Sequence, residues 1–292
     1  RDLHLSIRRQ RQMCIRDSSR ILPGYTFHQV GFLNITSEQR FVDSTSLREL
    51  QSDLGARIEV LRGREIHRKF PDVHTTDEDF VVFDLRGGYS EPHLYIPALL
   101  AKVRELGVEV RENQSLVEFK MDGGKVSGVI TRGKRSNEPE TSTDVTKTIE
   151  ADAVVCTVNS WANHVLSRVG FQIPMKNFIH ERFVTKPFPI QPVLPAIQDD
   201  VKDGYIRPTD DNRLLIGTAA HNPDEFIIPD PNFSFSDLQP DPRAVTHLKE
   251  HFANRVPLLQ GAEWDYHRVG LISFAMDSNP VIGPVPGLGN MY

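Results

Sequence analysis

The stretch Asp277-Ser-Asn-Pro-Val-Ile-Gly-Pro-Val-Pro-Gly-Leu-Gly-Asn-Met-Tyr292 is the most informative part of this chain. Prolines and glycines bracket a short β-branched run, Val281 and Ile282, which predicts a buried strand between tight turns and a second strand starting at Asn290. The prolines also remove amide donors from the glycine-rich part. The tract therefore predicts strands and turns and is not, by itself, a phosphate-binding loop.

Upstream of this tract, one segment has the pattern of a helix that feeds a sheet. Gly87-Gly88-Tyr89 precedes apolar residues at helical spacing, and Gly107 ends the predicted helix. A strand at 108–111 and a β-hairpin around Asp122-Gly-Gly124 should follow, with a polar loop over 133–148. The apolar run Ala153-Val-Val-Cys-Thr-Val158 is typical of a strand that is buried on both faces.

The remaining segments favour antiparallel sheet. Residues 27–35 are strand-like, and Thr36-Ser-Glu-Gln39 resembles a cap before a helix over 37–54. After Gly170 the chain is rich in proline and contains several short β-rich stretches. These are Phe183–Thr185, Gly204–Arg207 and Arg213–Gly217, and a helix over 241–256 is predicted after them.

Composition indicates an ordinary globular protein. The chain is 39% hydrophobic and 25% charged, which is ordinary for a globular protein. Its length of 292 residues allows one large domain or, as we favour, two closely joined ones. No apolar run reaches the roughly 18 residues of a membrane span, and a formal net charge of −5 gives no general attraction to nucleic acid. Small molecules are therefore the expected partners. Two cysteines cannot form a disulfide framework, which fits a reducing, cytoplasmic setting.

The first 20 residues do not look native. They carry six arginines, begin without methionine and show no sustained helical or strand period. A foreign leader is the preferred interpretation, and a native basic arm is the alternative. The fold is therefore expected to start near Ile21.

An ordered set of short motifs resembles the FAD-dependent oxidoreductases of the D-amino-acid oxidase and sarcosine oxidase (DAO) group. The set covers about 27–292 and comprises Gly88-Tyr89, Pro92, Leu106-Gly-Val108, Val117, Ala151-Asp-Ala-Val-Val155, Trp161, Asp277, Pro280 and Gly283. The resemblance implies an α/β fold of mixed α+β character, in which a dinucleotide-binding FAD domain is interleaved with an antiparallel-sheet substrate domain. FAD is the implied cofactor.

The resemblance also implies domain boundaries. The FAD domain would comprise 88–169 and 269–292, and the substrate domain 21–87 and 170–268. The family's opening strand with its Gly-x-Gly-x-x-Gly turn would precede Ile21, and its flavin loop would follow Tyr292. The chain as printed is therefore expected to be a fragment that does not hold FAD alone.

Several residues match positions that meet the cofactor in the family. Val117 matches a strand position whose backbone meets the adenine, although a core valine is an equally good interpretation. Asn159-Ser160-Trp161 matches an Ala-Gly-x-Trp-like turn beside the flavin, with Asn in the usual Gly place, and Asn tolerates left-handed backbone geometry. The closing motif contributes Asp277, Pro280, Ile282 and Gly283 to the predicted cofactor site.

The substrate side departs from the family pattern. In amino-acid oxidases an Arg after a Gly-Leu pair binds the substrate carboxylate, whereas this chain has Gly270-Leu-Ile272. The resemblance suggests Arg207 as a replacement, with Tyr205 beside it if the strand is regularly pleated. Both could also be ordinary sheet residues, and His28 and His180 are expected to be structural. A catalytic residue cannot be assigned.

The implied reaction is hydride transfer to flavin from the C–N bond of a small, possibly N-methylated, amine or amino acid, with an unknown electron acceptor. A 2-hydroxy-acid donor is one alternative, and a flavoprotein scaffold without turnover is another. His247-Leu-Lys-Glu-His251 matches a zinc-protease pattern, but no third ligand is evident and no metal site is predicted. Cys156 is expected to be structural.

Overall fold

The computed structural model describes residues 18–133, 145–218, 224–230, 233–241, 243–277 and 279–292. Most of the leader predicted over 1–20 therefore lies outside the described residues. The chain divides into two compact units. Unit 1 contains the residues up to Gly107, His180–Pro223 and Gln239–Val269, and unit 2 contains Val108–Ile179, Asp224–Leu238 and Gly270–Tyr292.

Thirteen strands are present in the described residues. They are β1 Phe27–His28, β2 Phe32–Thr36, β3 Ile58–Arg62, β4 Phe80–Asp84, β5 Tyr89–Ser90, β6 Gln114–Asp122, β7 Lys125–Gly133, β8 Val145–Glu150, β9 Met175–Thr185, β10 Ala196–Asp199, β11 Gly204–Pro208, β12 Leu214–Thr218 and β13 Trp264–Ala275.

In addition to the helical residues 18–21, α-helices and 3₁₀ turns accompany these strands in the described part of the chain. The helices are α1 Glu38–Asp43, α2 Thr45–Asp53, α3 Arg64–Lys69, α4 Pro92–Glu105, α5 Ala162–Leu166 and α6 Arg243–Phe252, and the 3₁₀ turns are Asn159–Trp161, Ser167–Val169, Phe235–Asp237 and Pro257–Leu259. None of the described helices is long and apolar enough to cross a bilayer.

The largest sheet has the strand order β13-β9-β12-β11-β10-β2-β4-β3. From β9 to β3 the strand pairs among the described residues are antiparallel, except for the parallel pair of β10 with β2. In unit 1 the apolar face of this sheet packs against α6, through Ala244, Leu248 and Phe252. Period-2 alternation in β2 and β11 puts Leu33, Ile35 and Ile206 into the same core, all fully buried.

Unit 2 contains the antiparallel sheet β6-β7-β8. Its first turn is Gly123-Gly124, and both glycines have positive φ, as this tight hairpin requires. Phe119 and Val126 of the hairpin pack with Leu166 of α5 and with Met291. The residues Val154 and Met291 also form a parallel bridge, so the two ends of unit 2 share one core.

Four local predictions are wrong. Residues 108–111 are not a strand, and part of the predicted loop over 133–148 is the strand β8. The run from Ala153 is not buried on both faces, because Val154 and Cys156 pack into the core while Val155 between them points outward and is 66% exposed. Ile282 is likewise exposed, because turns and not a buried strand surround it.

Candidate functional site

The sheet face of unit 1 that looks away from α6 carries polar and aromatic side chains. Asn34, Gln198, Tyr205 and Gly217 are direct neighbours in the register of β2, β10, β11 and β12. The side chains of Asn34, Gln198 and Tyr205 are half-buried, whereas their immediate neighbours in sequence are fully buried on the opposite face. Half-buried polar groups on a rigid sheet are the kind of surface that binds small molecules. We call this surface the open face.

Tyr205 lies across β12 and reaches β9. Its hydroxyl is 2.9 Å from Nε2 of His180, and the two rings are stacked with centroids 5.7 Å apart. The ring crosses above Gly217, where an added Cβ would lie only 2.3 Å from Tyr205 Cζ. Burial raises the pKa of Tyr205 above its ordinary value, although the charges of Arg182 and Arg207 oppose that effect. The hydroxyl is therefore neutral and fixed in place.

Replacement of Gly217 by alanine should displace the Tyr205 ring and break its hydrogen bond to His180. The displaced ring would be more exposed, so the pKa of Tyr205 should fall toward its ordinary value of about 10. A tyrosinate titration followed by NMR of labelled tyrosine measures this shift. Gly270→Ala is the matched control, because an added Cβ there meets nothing within 4 Å. An unchanged Tyr205 titration in Gly217→Ala would contradict the assigned geometry.

Arg207 lies on the same face of β11 as Tyr205, because the register of β11 is regular. Its Nη1 and Nη2 donate to the two carboxylate oxygens of Glu91, at 2.7 and 3.2 Å, and Nη1 also donates to the carbonyl of Pro208. The guanidinium also lies 4.7 Å from the ring centroid of Tyr89. Burial, followed by the charge of Glu91, raises the pKa of Tyr89 to about 12.

Not all of the Arg207 donors are used. A guanidinium has five N–H groups, and Glu91 and Pro208 account for three of them. The remaining Nε–H and Nη2–H point along one edge of the planar group, which matches a second carboxylate. The predicted role of Arg207 in binding a substrate carboxylate is therefore chemically available.

The histidines of unit 1 have other environments. His28 stacks on Tyr89 at 4.7 Å, and its Nε2 is buried without a partner. His93 lies near Glu91 and Asp210, and these three could together reach a metal ion. Glu91 is already neutralised by Arg207, so this group of three is weak as a cation site. In the zinc-protease-like motif, His251 Nδ1 is 2.9 Å from the carbonyl of His247.

In unit 2, the predicted turn Asn159-Ser-Trp161 is held by hydrogen bonds from two strands. Asn159 has a φ of +45°, in the left-handed region that Asn tolerates. Ser160 is buried and its Oγ is 2.9 Å from that of Ser273, which in turn donates to Asn177 at 2.8 Å. The Asn177 side chain closes the network by donating to the Ser160 carbonyl at 3.1 Å.

Two further parts of unit 2 contain predicted cofactor residues. Val117 lies at a register shift of β6, and Arg168 donates to its carbonyl and to that of Leu116. Bulges of this kind release backbone groups from the ladder and often adjoin binding sites. Trp161 packs against Phe235, with ring centroids 4.9 Å apart. These positions give rigid backbone and aromatic surface, with the Arg168 guanidinium bound to the Val117 carbonyl.

The closing tract is split in space. Ile282 and Gly283 line a cavity of about 360 Å³ with Val155, Cys156 and Tyr292. Asp277, by contrast, accepts a hydrogen bond from the backbone N–H of Asn279, which lowers the pKa of Asp277, and both Asp277 and Pro280 are exposed. Burial raises the pKa of the Cys156 thiol, so it is not an activated nucleophile.

The described residues of unit 2 fit the ring portions of a cofactor such as FAD. The cavity wall is largely apolar and suits a planar aromatic group. An added Cβ on Gly283 would meet nothing within 4 Å, so a ligand can approach this backbone closely. No phosphate cradle of backbone amides is evident among the described residues of this cavity.

Sequence reasoning missed several polar residues of unit 1, including Asn34, Asp84, Glu91 and Gln198. Glu91 was missed because it is the N-cap residue before Pro92, and an acidic residue followed by proline is an ordinary helix start. Asn34 and Gln198 interrupt otherwise apolar strands, and that interruption was the available signal.

Comparisons with known proteins are consistent with one another. Residues 6–292 match the family described as FAD dependent oxidoreductase, DAO. Glycine oxidase of Pseudomonas putida is 26% identical over 180 residues, which are 62% of this chain and 42% of that protein. Mitochondrial dimethylglycine dehydrogenase of Rattus norvegicus is 22% identical over 91% of this chain and 31% of its own length. Mitochondrial sarcosine dehydrogenase of Homo sapiens is 23% identical over 90% of this chain and 28% of its own length.

Solved structures show the same fold. L-proline dehydrogenase from P. horikoshii has a TM-score of 0.79 at 20% identity, covering 97% of this chain and 71% of that one. Glycine oxidase from Geobacillus kaustophilus has a TM-score of 0.73 at 19% identity, again covering 97% of this chain and 71% of that one. The chain spans less than half the length of the curated relatives that it matches.

Proposed function

Because the chain belongs to the DAO family of FAD-dependent oxidoreductases, we propose that it is part of an enzyme that oxidises the C–N bond of a small amine or amino acid. The observation that carries the proposal is the open face, on which Tyr205 is held by Gly217 and His180. When bound, FAD supplies the acceptor for the hydride and its electron pair. The residues of this chain bind and orient the substrate.

We propose that unit 2 holds the cofactor and unit 1 the substrate. Val117, the turn Asn159–Trp161 and the wall containing Ile282 and Gly283 would hold FAD, through backbone groups and apolar surface. Asp277 and Pro280 would act indirectly by fixing the exposed turn that precedes Ile282. The boundaries of the cofactor and substrate regions are part of the proposal.

The proposed substrate is an N-methylated or otherwise secondary amine. Ile272 cannot bind a carboxylate at the position where amino-acid oxidases carry an Arg, which disfavours an ordinary α-amino acid. Two relatives that align with nine-tenths of this chain are named for dimethylglycine and sarcosine. Arg207, whose Nε–Nη2 edge is not used by Glu91, would bind the carboxylate of such a substrate instead.

Tyr205 has a positioning role in this proposal. Its neutral hydroxyl can accept a hydrogen bond from the substrate N–H, or donate one, depending on which nitrogen of His180 carries the proton. Either bond fixes the orientation of the C–H bond that loses the hydride, and orientation of this kind accelerates a reaction without chemistry by the side chain.

Anaerobic flavin reduction tests the proposal with the full-length protein in its FAD-bound form. We expect N-methylated amines to bleach the flavin, and Tyr205→Phe to lower kcat/KM roughly tenfold through loss of one hydrogen bond. Tyr266→Phe is the matched control, because Tyr266 lies on β13 and is 43% exposed. Bleaching by 2-hydroxy acids alone would replace the amine assignment, and no bleaching by either class would refute an oxidoreductase function.

A further inference from the structure

A cavity of about 390 Å³ lies on unit 1 beside the β3–β4–β2 end of the sheet. Phe27, Phe32 and Ile58 form apolar parts of its wall, and Gln51 of α2 faces it from the helix side. The cavity also includes Asn34 of the open face, together with Asp84 and Arg86, which lie outside the open face as defined above. Its volume lies within the range of small-molecule sites, roughly 300–1,000 Å³.

Two polar residues of this cavity have hydrogen-bond acceptor atoms without a partner among the described residues. Asn34 Oδ1 is buried and has no hydrogen-bond partner. Asp84 Oδ1 accepts from the backbone N–H of Arg86 at 2.8 Å, and Oδ2 has no partner among the described residues. Buried polar atoms are normally paired, so an unpaired one on a residue that lines a cavity is a possible partner for a ligand or water.

Arg86 is the second polar group of the cavity with unused donors. Its guanidinium forms no ion pair or hydrogen bond with any described residue, although Arg86 is half-buried. The backbone that presents it is fixed, because a side chain on Gly88 would place its Cβ 2.0 Å from the carbonyl oxygen of His28. Arg86 therefore lies in a turn of restricted backbone and has no anionic partner among the described residues.

We propose that this cavity binds a small zwitterionic amino acid, at a site that uses neither Tyr205 nor Arg207. Arg86 binds the carboxylate through its planar fork. Asp84 Oδ2 and Asn34 Oδ1 accept hydrogen bonds from the ammonium group, and the rings of Phe27 and Phe32 favour the nearby positive charge. Such a ligand satisfies all three unpaired groups at once, which a simple amine or a simple carboxylate cannot do.

A single-charge ligand fits less well on electrostatic grounds. An amine alone leaves the Arg86 charge without a partner in a half-buried site, and a carboxylate alone would lie near the Asp84 carboxylate. The zwitterion places each of its charges opposite a fixed charge of the cavity. The inference does not depend on flavin chemistry, because every group it uses lies within unit 1.

Isothermal titration of the full-length protein with 2-aminoisobutyrate tests the site. This zwitterion has no α C–H bond, so flavin reduction cannot interfere with the measurement. We expect saturable binding that Arg86→Gln and Asp84→Asn each weaken about tenfold or more. Asp84→Asn keeps a side-chain oxygen that can accept the hydrogen bond from the backbone N–H of Arg86, so the turn should remain folded. Circular dichroism checks that the variant is folded. Arg68→Gln on α3 should bind like the wild type.

The outcomes separate this inference from the proposed function. Binding that survives in Arg86→Gln but is lost in Tyr205→Phe would place the zwitterion with the substrate residues and overturn the second site. Equal affinity for propionate or isopropylamine would overturn the zwitterion assignment. An enzyme that fails to reduce flavin with every donor, yet binds 2-aminoisobutyrate through Arg86 and Asp84, would refute the proposed function and support this site.

Discussion

Replacing Arg255 with leucine is expected to lower the free energy of unfolding by about 3–5 kcal/mol, a large part of a typical domain's stability. Arg255 Nε donates to Asp199 at 2.6 Å, and Nη1 donates to Asp79 at 2.7 Å and to the carbonyl of His74 at 3.0 Å. All three charged side chains are almost completely buried. Leucine would leave two carboxylates in the interior without their cation.

The effect of this substitution should depend on pH in a defined direction. Burial alone would raise the pKa of Asp79, but hydrogen bonds from Arg255 and Thr76 outweigh it and hold that pKa below its ordinary value. The resulting stability is fully present above the unfolded aspartate pKa of about 3.9 and is lost as pH falls through the lower folded value. Burial alone would lower the pKa of Arg255, but its hydrogen bonds and ion pairs with Asp79 and Asp199 raise that pKa above the ordinary value. Arg255 therefore stays charged over this pH range.

In Arg255→Leu only the hydrogen bonds from Thr76 still oppose the burial effect on Asp79, so the pKa of its carboxyl should rise relative to that in the wild type. The variant then gains stability relative to the wild type as acid neutralises the carboxylate. Urea unfolding at pH 7 and near pH 4 measures the difference in free energy of unfolding between the wild type and Arg255→Leu. We expect this difference to be smaller at the lower pH. Arg243→Leu, which removes an exposed ion pair with Asp241, is the control with little effect. A gap that is independent of pH would refute the electrostatic explanation.

Local pattern was sufficient to predict most of the sheet. The stretches Phe183–Thr185, Gly204–Arg207 and Arg213–Gly217 overlap β9, β11 and β12, because short β-rich runs between turn residues favour strands. The same reasoning failed for Ala153–Val158, where an uninterrupted apolar run suggested burial on both faces. Periodicity cannot show whether a strand has neighbours on both sides, and Val155 is exposed.

The candidate site was less predictable because its contacts join distant parts of the chain. Arg207 and Glu91 are 116 residues apart, and no sequence period connects β11 with the start of α4. The motif resemblance identified Tyr205 and Arg207 as candidates, but it did not identify their partners. The unpaired Arg86 was invisible for the same reason, since a charged residue before two glycines looks like any exposed turn.

The pair of Arg207 and Glu91 distinguishes a structural role from a substrate role. Arg207→Leu should cost about 3 kcal/mol, because it leaves the buried Glu91 carboxylate unpaired at the N-cap of α4. The double variant Arg207→Leu/Glu91→Leu should recover most of this loss, since no buried charge remains. Chemical denaturation of the two single variants and the double variant gives the coupling energy between these residues.

Kinetics of the stable double variant, in the full-length FAD-bound protein, then reports on substrate binding alone. If the free Nε–Nη2 edge of Arg207 binds the substrate carboxylate, KM for sarcosine should rise about tenfold or more, because a charge-assisted bidentate contact is lost. KM for N-methylethylamine, which has no carboxylate, should not change. Lys69→Leu/Glu59→Leu, which removes an exposed pair of unit 1, is the matched control. Equal KM values for sarcosine in wild type and double variant would make Arg207 a purely structural residue, because its only function would then be to neutralise Glu91.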